Sequence, residues 1–268
     1  MERKFEKYTF AQRLTSMLKV DFRRMFTSKF FYIMLGISLV APILILVMTS
    51  MMDGTVNVDP TTGKETVIEG FDYVWQAIAT PSNTGMAMSM DLVSMCNVNM
   101  FYFAIAVLVC IFVSDDFRSG YCKNLFTSRS NKSEYVISKT LVLFVGGALM
   151  IIAYFIGAML GGAISGVSFA LMDGVSASNI VMCMLSKVLL VSVFIPIFLV
   201  MSVVGKSKLW LSMILAFGVS MLLFTMVPMI SPLDSTLLNV IGSLLGGILF
   251  SVGIGYISNL VLKKNSIL

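Results

Sequence analysis

The 268-residue chain is 57% apolar and only 12% charged, with 19 Lys and Arg against 14 Asp and Glu and no histidine. A typical globular domain is about 25% charged, and one soluble core cannot hide this much apolar surface, so lipid must be the solvent for much of it. The missing histidine excludes histidine-dependent metal sites, Ser-His-Asp triads and Cys-His dyads together.

In chain order, residues 1–29 read as a cytoplasmic amphipathic helix. Phe10, Leu14, Met17, Leu18, Phe22, Met25 and Phe26 recur at three- and four-residue spacing, with Arg13, Lys19 and Arg23 between them. Such a helix lies on the inner leaflet as an anchor, and a basic one also suits contact with a cytoplasmic partner. The stretch is too long and too charged for a cleavable signal peptide.

A helix needs roughly 20 apolar residues to cross a bilayer. Runs of that kind occur at Phe30–Met52, Leu92–Val113, Leu141–Gly162, Ile180–Val204, Leu209–Ile230 and Leu237–Leu262. The predicted fold is therefore an all-α integral membrane protein: six transmembrane helices over 30–262, preceded by the interfacial helix and followed by a tail, 263–268. Lys187 interrupts the fourth run, and a lysine at membrane depth is expected to snorkel or to face a polar cavity.

Loop charges set the orientation. Seventeen of the nineteen Lys and Arg fall before the first run, in the second and fourth connections, or after the last run. The positive-inside rule then places both termini in the cytoplasm. The basic surplus is thus a topology signal, and nucleic acid is not an expected partner.

The outer loop 53–91 is the only external connection of any size. Thr55–Val58 and Thr66–Glu69 flank the turn formers at 59–64, which suggests a small hairpin. Phe71, Val74, Trp75 and Ile78 share one helical face, which predicts a short helix at the outer membrane interface. Met86, Met88 and Met90, with Met95 and Met100 beyond them, have thioether chemistry suited to copper. With 22 methionines in the chain, no metal site is expected.

Asn97 and Asn99 in the second run, with Lys187, are the polar groups nearest membrane depth and form a candidate substrate path, or simply bond neighbouring helices. Small-residue stripes (Ala153, Gly157, Gly161, Ser165; and Ser243, Gly247, Ser251, Gly255) allow close helix approach, within the chain or across a dimer seam. Cys96, Cys110, Cys122 and Cys183 show no CxxC spacing and read as reduced packing residues or incidental surface thiols. Gly205-Lys206-Ser207 imitates the end of a nucleotide-binding loop, but Val200 stands where its first glycine belongs. No ATP site is expected in this chain.

The inner connection, 114–140, carries the most specific pattern: Asp115, Asp116, Gly120, Lys123, Leu125, Arg129, Tyr135 and Lys139. This succession resembles the corresponding loop of the permease subunits of ABC type-2 transporters, largely bacterial exporters. The likeness extends to the N-terminal helix and the six-span layout of the type V exporter fold. It departs at Tyr121, where a small hydroxyl residue is common, and in the very short outer connection Ser231–Thr236.

The resemblance implies a membrane subunit in a bacterial plasma membrane, paired with a second copy or a related permease. Separate ATPase subunits would hold ATP and magnesium, with no cofactor in this chain. Rocking of the two halves would then move an amphipathic or hydrophobic substrate outward, such as a peptide antibiotic or drug. The loop becomes the ATPase-coupling element. Leu125 and Phe126 are expected to plug a groove on the partner, while Arg118, Lys123 and Arg129 pair with its acidic rim. An ATP-independent secondary transporter or channel is the alternative, but no acidic residue lies inside any of the six apolar runs to serve as a coupling-ion site.

Overall fold

The computed structural model describes residues 9–58, 65–67, 70–82, 96–128, 132–224 and 226–264. Helix α1 (Phe10–Thr27) is opened by a capping box, in which Gln12 N–H donates to Thr9 Oγ1 and Thr9 N–H donates to Gln12 Oε1. Ser28, in extended conformation, breaks the chain before α2 (Lys29–Met52). Strands β1 (Val56–Val58) and β2 (Glu65–Val67) pair antiparallel with Val56 opposite Val67, so the expected hairpin is present. Its turn lies outside the described residues.

The chain then forms α3 (Phe101–Arg118), α4 (Tyr121–Ser128), α5 (Ser133–Ser165), α6 (Ala177–Gly205), α7 (Leu209–Phe224), α8 (Val227–Ile230) and α9 (Leu237–Lys264). Among the described residues, five helices are long and apolar enough to span a membrane: α2, α3 with its preceding turn, α5, α6 and α9. The sixth, α7, has 16 residues and reaches roughly 24 Å at 1.5 Å per residue. That falls short of a core of about 30 Å, and the one-turn α8 follows it in place of the expected continuous helix to Ile230.

Helix α6 is the hub, packed against α3, α5, α7 and α9, while α2 lies along α5. Glycines make the two closest seams. A Cβ on Gly157 would overlap the Leu39 carbonyl, and one on Gly161 would come 2.8 Å from the Ile43 Cα, so α2 and α5 touch backbone to backbone. A Cβ on Gly247 would overlap Ser192, and Ser243 Oγ shares a 2.6 Å hydrogen bond with Ser186 Oγ. Both stripes are therefore spent on packing within the chain. The outer faces of α2, α7 and α9 expose Ile33, Leu44, Met51, Leu222, Leu238, Leu249 and Val252, the apolar belt that lipid requires.

Two ends of the bundle are distinct. At the hairpin end, Gly70 N–H donates to Asp53, Leu233 N–H to the Thr80 carbonyl, and Trp75 Nε1 to Phe169 and Ala170 carbonyls. Val74–Ala77 forms a 3₁₀ turn there. Val74, Ala77 and Ile78 are fully buried, with Val74 seated against Gly162. The expected interfacial helix is instead a plug pressed into the bundle, because Gly162 leaves a hollow that an apolar side chain fills.

Candidate functional site

At the opposite, basic end, three helices meet around buried charge. Helix α5 has 33 residues, roughly 50 Å of helix, so it outruns the bilayer and carries Glu134, Tyr135, Ser138 and Lys139 below its apolar run. Helix α3 likewise continues beyond Val113 through Asp115 and Asp116. Helix α1 buries Met17, Asp21 and Met25, one residue per turn, toward α5. Its other apolar side chains (Phe10, Leu14, Leu18, Phe22 and Phe26) are half-buried or exposed along the flank.

The charges interlock. Lys139 Nζ lies 2.8 Å from Asp21 Oδ1 and 2.7 Å from Asp116 Oδ2, and all three side chains are 0% exposed. Arg24 reaches Asp116 Oδ1 at 2.6 Å. Ser138 Oγ donates to Asp21 Oδ2 at 2.7 Å and the Tyr135 hydroxyl to Asp116 Oδ2 at 3.0 Å. Rings close the remaining faces. The Lys139 ammonium lies 4.4 Å from the Phe112 centroid, and the Arg24 guanidinium 4.4 Å from that of Tyr121. Two carboxylates and two cations balance, which is the condition for holding charge out of water.

The field of this cluster reaches its neighbours. Burial opposes the Arg24 charge, but Asp116 and Asp21 outweigh it and hold the guanidinium above its usual range. Burial, then Asp21 and Asp116, push the Tyr121 phenol up to about 12. Burial, with Asp116 adding to it, pushes the Cys122 thiol up to about 12.

The expected coupling residues separate into two groups. Asp116 is sealed inside, so its carboxylate has no face left for a partner. Leu125 and Phe126 are half-buried against the bundle, Phe126 in an edge contact with Tyr135 at 5.5 Å, so they are not outward knobs. They turn inward because the ring of Tyr135 and the core beneath α4 offer a dry surface. Asp115, Arg118 and Lys123 are exposed, and the outward surface of α4 is polar. Gly120 links α3 to α4 at φ +74, a left-handed conformation that favours glycine. Arg129 lies outside the described residues. Two further ties bind this end: Arg13 pairs with buried Glu134 at 3.0 Å, and Lys132 Nζ donates to the Leu262 carbonyl of α9 at 2.7 Å.

The second predicted group does come together. Asn97 caps, and Asn99 lies within, the 3₁₀ turn Val98–Met100 that leads into α3. Asn97 Oδ1 accepts from the Asn99 N–H at 3.0 Å, and Lys187 Nζ donates to Asn99 Oδ1 at 2.6 Å. Lys187 is 0% exposed, so it neither snorkels nor faces an open cavity. Its backbone carbonyl accepts from the Tyr102 hydroxyl at 2.8 Å, which fixes α6 to α3. The short connection after α8 is held by Asp234, which accepts from the N–H and hydroxyl of Ser82. Burial opposes that carboxylate's charge, but the two Ser82 bonds keep it below the usual carboxylate range. The Gly205-Lys206-Ser207 segment is a tight turn in which Gly205 abuts Ser212.

Asp21, Arg24 and Glu134 escaped the sequence reading. Asp21 was visible in principle: it is the sole acidic residue of α1 and lies four residues from both Met17 and Met25 on the buried stripe.

A family model described as ABC-2 family transporter protein matches residues 17–223, a span that begins in α1 and takes in every member of the charge cluster. No curated protein and no solved structure matches the chain.

Proposed function

The chain belongs to the ABC-2 family of transporter proteins, and from that premise we propose that it is the permease of an exporter whose coupling to its ATPase runs through the basic end. Membership makes it a multi-pass permease subunit of an ABC transporter, with an ABC ATPase as its partner.

In this reading the basic end faces the bacterial cytoplasm and both termini lie there, as the positive-inside rule requires. Separate ATPase subunits bind ATP and magnesium and dock on the polar outer face of α4 and the adjoining end of α3, where Lys123 and Arg118 meet acidic groups. Two permeases, identical or related, enclose the path. ATP binding rocks them apart and together, and an amphipathic or hydrophobic substrate leaves outward. Lys187 with Asn99 and Asn97 lies along that path, closed in the present conformation.

The observation that carries the coupling reading is the buried charge cluster beneath α4. A push on a loose surface helix dissipates in local bending. Asp116 and Lys139 tie the ends of α3 and α5 to each other, and Asp21 and Arg24 tie both to α1, so the push is delivered to three helices as one body.

The test is co-purification with the ATPase encoded beside the permease, together with ATP hydrolysis. Charge reversal at Arg118 and Lys123, both exposed, is expected to weaken ATPase binding at least tenfold with unfolding temperature unchanged. Unaltered binding of the reversed variant would remove α4 from the interface.

A further inference from the structure

Where the α1–α2 corner meets α3, a cavity of about 260 Å³ opens at the lower edge of the apolar belt. Met25, Phe30, Phe31, Ile111 and Phe112 wall it, and Asp115 stands at its polar side. The carboxylate is conspicuous by its company. Asp21 and Asp116 are neutralised by Arg24 and Lys139, whereas Asp115, among the described residues, has no ion pair within 4.0 Å. The cluster next door is balanced, so it supplies Asp115 with no counter-charge.

We propose that this cavity is a binding site for the cationic end of an amphiphile, with Asp115 as its counter-charge. Three properties of the site select that ligand. Phe112 already meets Lys139, but the aromatic walls Phe30 and Phe31 are left to attract an ammonium or guanidinium group through their ring faces. A lone carboxylate beside apolar surface favours a cation and disfavours an anion. The volume lies below the range of about 300–1,000 Å³ that encloses a whole drug-sized molecule, so the site takes a charged head and the first part of its chain. The remaining tail stays in lipid against the exposed face of α2, where Tyr32, Ile33 and Ile37 are uncovered. The position, at the depth where the apolar run of α3 ends, matches that of an amphiphile resting in the adjoining leaflet.

This inference rests on the transporter reading for its meaning: the ligand is cargo collected from the leaflet before export. It narrows an amphipathic or hydrophobic substrate to one bearing positive charge. The site itself can be tested apart from transport.

The experiment uses the permease–ATPase complex in phosphatidylcholine nanodiscs. The probes are a fluorescent alkyl-trimethylammonium and the alcohol of equal chain length. The cationic probe is expected to bind saturably and at least tenfold tighter than the neutral one. Asp115→Asn should erase that preference with no change in unfolding temperature, because the side chain is exposed and its shape is kept. Ile111→Trp, which fills the cavity, should abolish binding of both probes. A preference that survives Asp115→Asn, or binding that survives Ile111→Trp, overturns the proposal. Stimulation of ATP hydrolysis by the probe addresses the other premise: Asp115-dependent binding without stimulation retains the site and removes cargo as its ligand.

Discussion

At the scale of single residues, the molecule is governed by how it balances buried charge. Lys139 sits between two carboxylates that are both fully buried, so Lys139→Met leaves Asp21 and Asp116 with Arg24 alone. Removing one partner of such a cluster costs about 3–5 kcal/mol, and a drop of that size is expected in chemical unfolding of the detergent-solubilised protein. Adding Asp21→Asn should restore part of the loss, because the remaining Arg24–Asp116 pair is again neutral; a double variant weaker than Lys139→Met alone would contradict the charge-balance account. Cys122 supplies a pH test. Its thiol is neutral in the fold and titrates near 12, against 9.0 when unburied. The group therefore contributes stability that is complete below pH 9 and is lost as pH rises from 9 toward 12. Cys122→Ser should shallow that alkaline decline in a series of unfolding temperatures from pH 8 to 11. The sequence displayed Asp116, Tyr135 and Lys139 as a pattern but not as a contact, since hydrogen-bond geometry between helices has no signature in spacing. It pointed Asp116 at a partner because a carboxylate beyond an apolar run looks solvated until another helix arrives to cover it.

At the scale of elements, close packing is concentrated at a few glycines. Gly157 and Gly161 let α5 touch the backbone of α2, whereas Gly36 on α2 meets nothing within 4 Å. Gly157→Ala should therefore lower stability by about 1–3 kcal/mol, the usual cost of overpacking. Gly36→Ala should be neutral or slightly stabilising, and thermal unfolding of the two variants side by side decides the point. Gly120 obeys a different constraint. Its surroundings are open, but its φ of +74 disfavours any side chain, so Gly120→Ala costs about 1–2 kcal/mol and Gly120→Asn less. Helix periodicity exposed most of these elements, and the apolar runs found the helices to within a turn or two. They failed at two places for identifiable reasons. Asn97 lies in an apolar stretch but caps the 3₁₀ turn before α3, its side-chain amide taking the Asn99 N–H that a longer helix would use. The segment 74–78 has a helical stripe yet makes only one 3₁₀ turn, because Gly162 offers a hollow that fixes its depth.

At the scale of the whole molecule, orientation is the property most open to direct measurement. Ala170 is exposed at the hairpin end and Ser207 at the basic end. In a Cys96→Ser background, Ala170→Cys is expected to react with a membrane-impermeant maleimide on intact cells, and Ser207→Cys only after permeabilisation; the reverse pattern would invert the molecule. Fold class was legible in composition because lipid imposes its demand on every residue of a span at once; the count of six was not, since among the described residues five helices are long enough to span and α7 stops at 16 residues. Which helix sits at the centre was not, since all of the runs are apolar and only contact distinguishes α6 from the rest. The cluster at the basic end also has a history in time. Asp21 is made before its partner Lys139, which follows 118 residues later. At about 5–20 residues per second during synthesis, that interval lasts roughly 6–24 s. Through it α1 must rest at the membrane surface with Asp21 still hydrated, because a carboxylate sealed early would be buried without a cation. The last tie is later still: Lys132 waits for the Leu262 carbonyl, 130 residues further on. Assembly of the basic end is thereby deferred until α9 has been made, and a nascent chain released before then carries an open latch, with unpaired charge exposed, for quality control to recognise.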